Sequence, residues 1–336
     1  NSNLKKISDV HIVASADHNE ESRKWARETC EDKFKIRLYE DYKELLAEKD
    51  IDVIVVASPN FTHIEIMREL FKTDKHVLLE KPMCTTLPDS LEVLEKSKDH
   101  GGLVWVGLEY RYMSPIQSLI KHIEEIGDIR MLSIREHRFP FLEKVDNWNR
   151  FNENTGGTLV EKCCHFFDLM NLIVPSKPIK VYASGGQDVN HLDEKYDGKT
   201  PDIIDNSFVI VDYQDGQRAM LDLCMFAEAG KYEQEIVLTG DQGKLETHIP
   251  GNELLLTNRK NYSLKTIEVK DDPRVKEVGF HHGASYIEHL ELIDCIKNKK
   301  KPLVDCQKGL DSIILGLAAQ ESIQTGAPVF LENFLN

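Results

Sequence analysis

The chain has 336 residues, too long for one ordinary domain and suited to two, and its 41% apolar and 29% charged content describes a globular protein with a sizeable core. Lys and Arg number 42 against 57 Asp and Glu, a net charge of -15, which disfavours nucleic acid or an anionic membrane as partner, since both need a basic face. The longest apolar runs (51–57, 103–108 and 313–319) fall short of the roughly 20 residues of a membrane helix, and the opening Asn1-Ser2-Asn3-Leu4-Lys5-Lys6 leads into no secretory signal.

Taken in chain order, residues 10–17 read as a short strand, 20–30 as a helix, 42–49 as a helix and 52–57 as a buried strand. Residues 62–73 read as a helix, 76–80 as a strand, 89–100 as a helix and 103–108 as a strand. This alternation predicts βαβ units and a parallel sheet. After about residue 128 the texture changes. Strands are predicted at 129–138, 179–185, 207–213, 218–226, 233–239, 243–248 and 252–257, with hairpin signals at Asp215-Gly216 and Asp241-Gln242-Gly243. Residues 158–173 read as one apolar helix under that sheet, and helices at 284–298 and 307–325 close the chain. The expected fold is α/β: a Rossmann-type parallel domain over 1–112, N-terminally incomplete, and an α+β domain over 113–336 with a large, mainly antiparallel sheet. The last helix is expected to pack back on the first domain. The seven cysteines are scattered without zinc-type spacing, which reads as reduced thiols in a cytoplasmic protein with no metal site.

Two stretches carry the chemistry. Leu78-Leu79-Glu80-Lys81-Pro82 ends a strand and delivers Lys81 to the carboxyl edge of a parallel sheet, where open α/β sheets bind ligands. The second runs from Gly156-Gly157 through Glu161-Lys162-Cys163-Cys164-His165 to Asp168. On one continuous helix Glu161 and His165 are four apart and His165 and Asp168 three apart, so all would share a face.

With Ala57-Ser58-Pro59-Asn60-Phe61-Thr62-His63 and Gly107-Leu108-Glu109-Tyr110-Arg111-Tyr112, this ordered set resembles the Gfo/Idh/MocA oxidoreductases, which act on sugars and cyclitols with NAD or NADP. The resemblance spans most of the chain. It implies a polyol, cyclitol or sugar substrate and a homo-oligomer, dimer or tetramer, whose sheets meet face to face. It also implies that Ser58, Asn60, His63 and Glu80 border the cofactor, and that Arg111 and Asp168 bind substrate. The chemistry of the residues agrees. Alcohol oxidation removes a hydride, carried by the cofactor, and a proton, handled by the protein. His165 suits the proton because its ordinary pKa lies near neutrality. Lys81 can donate to the same oxygen, and can contact the nicotinamide ribose. Asp17, at a strand end, can bond the ribose hydroxyls and favours NAD over NADP, although His18 and Arg23 beside it pull the other way.

Plainer readings stand beside these. His165 alone reads as a core histidine, Glu161 and Arg111 as ion-pair partners, and Tyr110 and Tyr112 as packing residues. Trp148 and Asn149 precede the glycine pair and could line the substrate mouth, and His282 could reach the pocket. Two features depart from the family pattern. Glu161 stands where an aspartate is usual. No Gly-x-Gly-x-x-Gly precedes the first strand, so the chain reads as starting inside the first βα unit, about 20 to 30 residues short. The rival functions are a non-catalytic sugar or dinucleotide sensor and a dihydrodiol-dehydrogenase-like reductase of another carbonyl.

Overall fold

A computed structural model describes residues 2–334. The first unit carries five short parallel strands in two sheets: β1 (Ala14–Ala16) pairs with β2 (Arg37–Tyr39), and β3 (Val53–Val56), β4 (His76–Glu80) and β5 (Val104–Gly107) follow in that order. No ladder joins β1 to β3. Val77, Leu78 and Leu79 on β4 have no exposed surface, as expected for a parallel strand covered on both faces. Each such burial contributes about 1.5–3 kcal/mol. The helix Leu87–Ser97 starts where Thr86 accepts from the Asp89 amide and Pro88 occupies the first turn, so its first orphan donors are satisfied.

The second unit is built on nine strands: β6 (Ile129–His137), β7 (Pro178–Gly186), β8 (Asn206–Tyr213), β9 (Arg218–Cys224), β10 (Gln234–Gly240), β11 (Gly243–Ile249), β12 (Glu253–Asn258), β13 (Ser263–Glu268) and β14 (Val329–Phe330). Their order is β13-β12-β11-β10-β6-β9-β8-β7-β14, antiparallel except for the β6–β9 pair. One face is apolar and buried: Leu132, Ile134, Val209, Val211, Leu221 and Leu238 are at most 2% exposed. The helix Cys306–Thr325 packs on β7 of this face and on the helix Cys164–Ile173, and its other side meets Leu87–Ser97 and β5 of the first unit. The backbone of β5 also donates a hydrogen bond across this junction, from the Val106 amide to the Val304 carbonyl at 3.0 Å.

The strands Arg37–Tyr39 and Val329–Phe330 and the helix Ser114–Lys121 were not expected from sequence, and three further differences have a physical reason. The first strand is three residues rather than eight, because β2 beside it is equally short. Strand β13 has an almost fully exposed burial pattern, so this edge strand lacks the hydrophobic alternation by which strands are read. The helix predicted over 158–173 is two helices, Thr158–Glu161 and Cys164–Ile173. The amides of Lys162 and Cys163 both reach the Thr158 carbonyl, and the ladder restarts from the Cys163 carbonyl to Phe166 and Phe167.

Candidate active site

The parallel strands β4 and β5 and the broken helix meet at one cleft. The Lys81–Pro82 peptide is cis. Gly157, with φ +88° and ψ 162°, starts the Thr158–Glu161 helix in a conformation open essentially to glycine alone. A Cβ there would lie 1.6 Å from Gln320 Oε1, while the Gln320 amide donates to the Gly156 carbonyl at 2.7 Å. The glycine pair thus lets the helix Cys306–Thr325 hold the turn that brings Glu161 to the first unit.

Lys81 Nζ donates to the Glu161 carbonyl at 3.1 Å, at the C-terminus of that helix, where a cation is favoured. Burial works against the Lys81 charge, but Cys164, Glu161 and Glu109 outweigh it and raise the pKa. Only one of the three ammonium protons is used on Glu161. Glu161 Oε2 is buried without a hydrogen-bond partner, and burial raises its carboxyl pKa against the pull of Lys81. His165 Nδ1 is likewise buried and unpartnered. Burial holds the imidazole well below its ordinary pKa, with Glu109 opposing and Lys81 reinforcing the shift. An unpartnered buried polar atom costs about 1–3 kcal/mol, so two such groups facing Lys81 fit a ligand rather than a core. Asn60 Nδ2, at the turn that follows β3, is also buried without a partner.

His165 stacks on Tyr110 with ring centroids 3.9 Å apart and planes 4° from parallel. Tyr110 is therefore more than a packing residue: its hydroxyl accepts from Lys162 Nζ at 3.0 Å, and Lys162 pairs with the fully buried Glu136 at 2.8 Å. Glu109, beside it, carries a carboxylate 2.6 Å from His281 Nδ1 and 3.8 Å from His165 Nε2. Glu80, at the end of β4, is pushed up to about 7 by burial and by Glu109, with Lys81 pulling the other way.

Several expected site residues are placed differently. Arg111 and Asp168 face each other, Nε to Oδ2 at 3.1 Å and Nη2 on Oδ1, and both are buried. This two-point ion pair fastens the 109–112 turn to the helix Cys164–Ile173, the structural reading of Arg111. His63 is fully buried with Nδ1 on the Pro82 carbonyl at 2.9 Å and Nε2 on the Ser58 carbonyl at 3.1 Å, so it ties the ends of β3 and β4 together. His282 is exposed at φ +52°, and its neighbour His281 makes the site contacts instead. Asn149 is buried and donates to the Leu142 carbonyl within its own loop. Trp148 packs edge-on against Phe61, at 6.3 Å between centroids. Asp17 directly follows β1 and accepts from the Asn19 amide at 2.9 Å. Glu109 and His281 had no role assigned from the sequence: one lies between Leu108 and Tyr110 within the Gly107–Tyr112 motif, and the other sits in a loop far along the chain.

A parallel-sheet unit joined to a large open sheet, with a lysine and a histidine from the two units meeting at the cleft, defines a nicotinamide-dependent oxidoreductase. Residues 3–108 match the NAD-binding Rossmann fold of the GFO_IDH_MocA oxidoreductase family, and residues 120–331 match its C-terminal alpha/beta domain. The chain belongs to this family and binds NAD through its first unit. It is 26% identical over 339 residues to myo-inositol 2-dehydrogenase of Thermotoga maritima, covering 99% of this chain and 95% of that protein. It is 21% identical to scyllo-inositol 2-dehydrogenase (NAD(+)) of Bacillus subtilis over 87% of this chain and 81% of that one. Among solved structures, levoglucosan dehydrogenase in complex with NADH and levoglucosan superposes with a TM-score of 0.83 at 18% identity, covering 96% of this chain and 90% of that one.

Proposed function

We propose that the protein oxidises a secondary hydroxyl of a polyol, cyclitol or sugar, with His165 as the base. The observation that carries this reading is the convergence of Lys81, from the edge of β4, with Glu161 and His165 across the cleft, where Glu161 and His165 each keep a buried polar atom without a partner. The similarity to two inositol dehydrogenases supports a polyhydroxylated substrate. NAD, when bound, takes the hydride. The protein does the rest. His165 is held neutral by burial and receives the hydroxyl proton. The free Lys81 donors stabilise the developing alkoxide. Glu161 accepts from a neighbouring substrate hydroxyl. Its side chain is one methylene longer than the usual aspartate, and the helix break after it changes the angle at which it enters the cleft. Asp17, Ser58, Asn60 and Glu80 are the side chains for the cofactor: Asp17 for the ribose hydroxyls, the unpartnered Asn60 amide as a donor. Trp148 and Phe61 form an aromatic lip beside them.

Turnover of inositols and aldoses with NAD, followed as NADH absorbance, tests this. Loss of turnover in both Lys81→Ala and His165→Ala is expected. Wild-type rates in either variant remove that residue from the mechanism, and NADH binding without turnover of any polyol favours a sensor.

The partner surface follows from the open face of the large sheet. Tyr182, Phe208, Ile210 and Met220 are 36% to 59% exposed on adjacent strands β7 to β9, flanked by the Lys180–Asp212 ion pair. A second copy covering this face makes the protein a homo-oligomer, with size-exclusion chromatography coupled to light scattering as its check. All seven cysteines are free thiols, which supports a reducing, cytoplasmic setting. No helix among the described residues is long and apolar enough to cross a membrane.

A further inference from the structure

We propose that Tyr110 positions His165, with its ring laid on the imidazole and its hydroxyl anchored by the buried Lys162. The inference rests on the reading of His165 as the base. A catalytic base needs a further group to orient it, and that group is usually a hydrogen-bond acceptor on the second ring nitrogen. Among the described residues His165 has none. Its Nδ1 is buried without a partner, and its Nε2 stands 3.8 Å from Glu109 Oε1, beyond hydrogen-bond range. What the imidazole does have is a flat neighbour, the Tyr110 ring, with centroids 3.9 Å apart and planes 4° from parallel. Such a contact fixes the plane of the imidazole and leaves both nitrogens, on its edge, open to ligands.

A stacked ring orients its neighbour only as well as it is itself held. The Tyr110 hydroxyl accepts from Lys162 Nζ at 3.0 Å. Its ring meets Phe166 at 5.7 Å and 74°, and His281 at 5.3 Å and 65°, both nearly edge-on. His281 is in turn fixed by the Glu109 carboxylate at 2.6 Å. Lys162 is fixed as well. It closes the helix Thr158–Glu161, just before the helix that carries His165, and its ammonium pairs with Glu136 of β6 at 2.8 Å. Glu136 also accepts from Gln234 of β10 at 2.6 Å and from Arg138 at 3.4 Å. The contacts therefore run from two adjacent strands of the large sheet, through Lys162 and Tyr110, to the base.

Energetics favour a positioning role over a merely structural one. Lys162, Glu136, Gln234 and Tyr110 are all buried. Stripping two charges of water is costly, and a buried ion pair can often be replaced by apolar side chains of similar volume without loss of stability. Packing alone gives no reason for a cation beneath an active-site tyrosine. The pair supplies a directional hold on one hydroxyl, which an apolar group cannot. The rotation of the Tyr110 ring is thereby set, and with it the plane of the imidazole stacked on it.

The test follows oxidation, with NAD, of the inositol or aldose that the wild type turns over fastest. The kcat is counted per NADH-binding site, titrated by fluorescence, so that unfolded protein does not enter it. Tyr110→Leu removes the stack and is expected to lower kcat about 100-fold, with KM and NADH affinity within about twofold of wild type. Tyr110→Phe keeps the ring, and Lys162→Met keeps the whole tyrosine and leaves Glu136 with Gln234 and Arg138. Both lose the anchor, so they are expected to match each other, with a smaller loss than Tyr110→Leu. In the ligand-free protein carrying isotope-labelled histidine, NMR should show the His165 ring protons shifted upfield by the stacked ring, a shift kept in Tyr110→Phe and lost in Tyr110→Leu. Wild-type kcat in Tyr110→Leu overturns the inference, and so does a raised KM with kcat intact, or an equal loss in Tyr110→Phe and Tyr110→Leu. If Tyr110→Leu does not fold, wild-type kcat in both anchor variants overturns it, and a lowered kcat at unchanged KM in both sustains it. His165→Ala separates the two readings: wild-type turnover there removes the base itself, whereas a dead His165→Ala beside a normal Tyr110→Leu removes only the positioning role.

Discussion

Two residues one turn apart on the same helix have opposite fates. Asp168 has both carboxylate oxygens on Arg111 and is closed. His165, three residues earlier, keeps an unpartnered nitrogen inside the protein and faces a carboxylate too distant for a hydrogen bond. Burial is the same in both cases. The difference is satisfaction. Where every polar atom is paired the group holds the fold, and where a buried atom is left over the surrounding structure is holding a place for something else.

Substitution at each pole of this contrast separates function from stability. His165→Ala is expected to lower turnover by about 100- to 10,000-fold with little change in thermal midpoint, read by NADH formation and by calorimetry on the same samples. Arg111→Ala should do the reverse in kind. It strands Asp168 as a buried, unpaired carboxylate and costs about 3–5 kcal/mol, measured by urea unfolding. If Arg111→Ala leaves stability intact and raises KM instead, the pair belongs to the substrate site and the contrast fails.

The pH response sharpens the comparison. Glu80 holds its proton to about pH 7 when folded, against an ordinary value of 4.5. The stability from that raised pKa is fully present below pH 4.5 and is lost as pH rises through about 7. His63 and His165 act with the other sign. Their pKa values are depressed below 6.5 by burial, so as pH falls below 6.5 the unfolded chain takes protons that the folded one refuses and stability declines. Urea midpoints compared at pH 5 and pH 8 should therefore fall less with rising pH in Glu80→Gln than in the wild type. An identical slope in the two proteins means that Glu80 is not protonated in the fold. The smallest effect expected is for Glu161→Asp, which restores the usual residue: a change of about tenfold or less in kcat with stability unaltered, since the backbone carbonyl that holds Lys81 is untouched.

Much of the local pattern behind the proposed site was legible in sequence. Glu80-Lys81-Pro82 at a strand end, the glycine pair and the Glu161, His165 and Asp168 series were all readable, because strand ends and tight turns leave strong local marks. The single helix expected over 158–173 is two helices in the structure. At the interruption the Lys162 and Cys163 amides share the Thr158 carbonyl, and nothing in the local sequence announces it. Glu109 and His281 were missed for the same kind of reason. Each is ordinary within its own segment, and their value comes from a 2.6 Å approach between distant parts of the chain.

Local chemistry alone thus determined the βαβ alternation, the change to a large antiparallel sheet and the delivery of Lys81 to a carboxyl edge, since periodicity and turn residues act over short range. Tertiary structure decided which charged groups are spent and which are spare. Arg111 and Asp168 neutralise each other, Lys162 is drawn to Glu136, and His165 is left with Glu109. Those outcomes depend on which polar atoms meet once water is removed, and desolvation is a property of the packed molecule rather than of any stretch of its sequence.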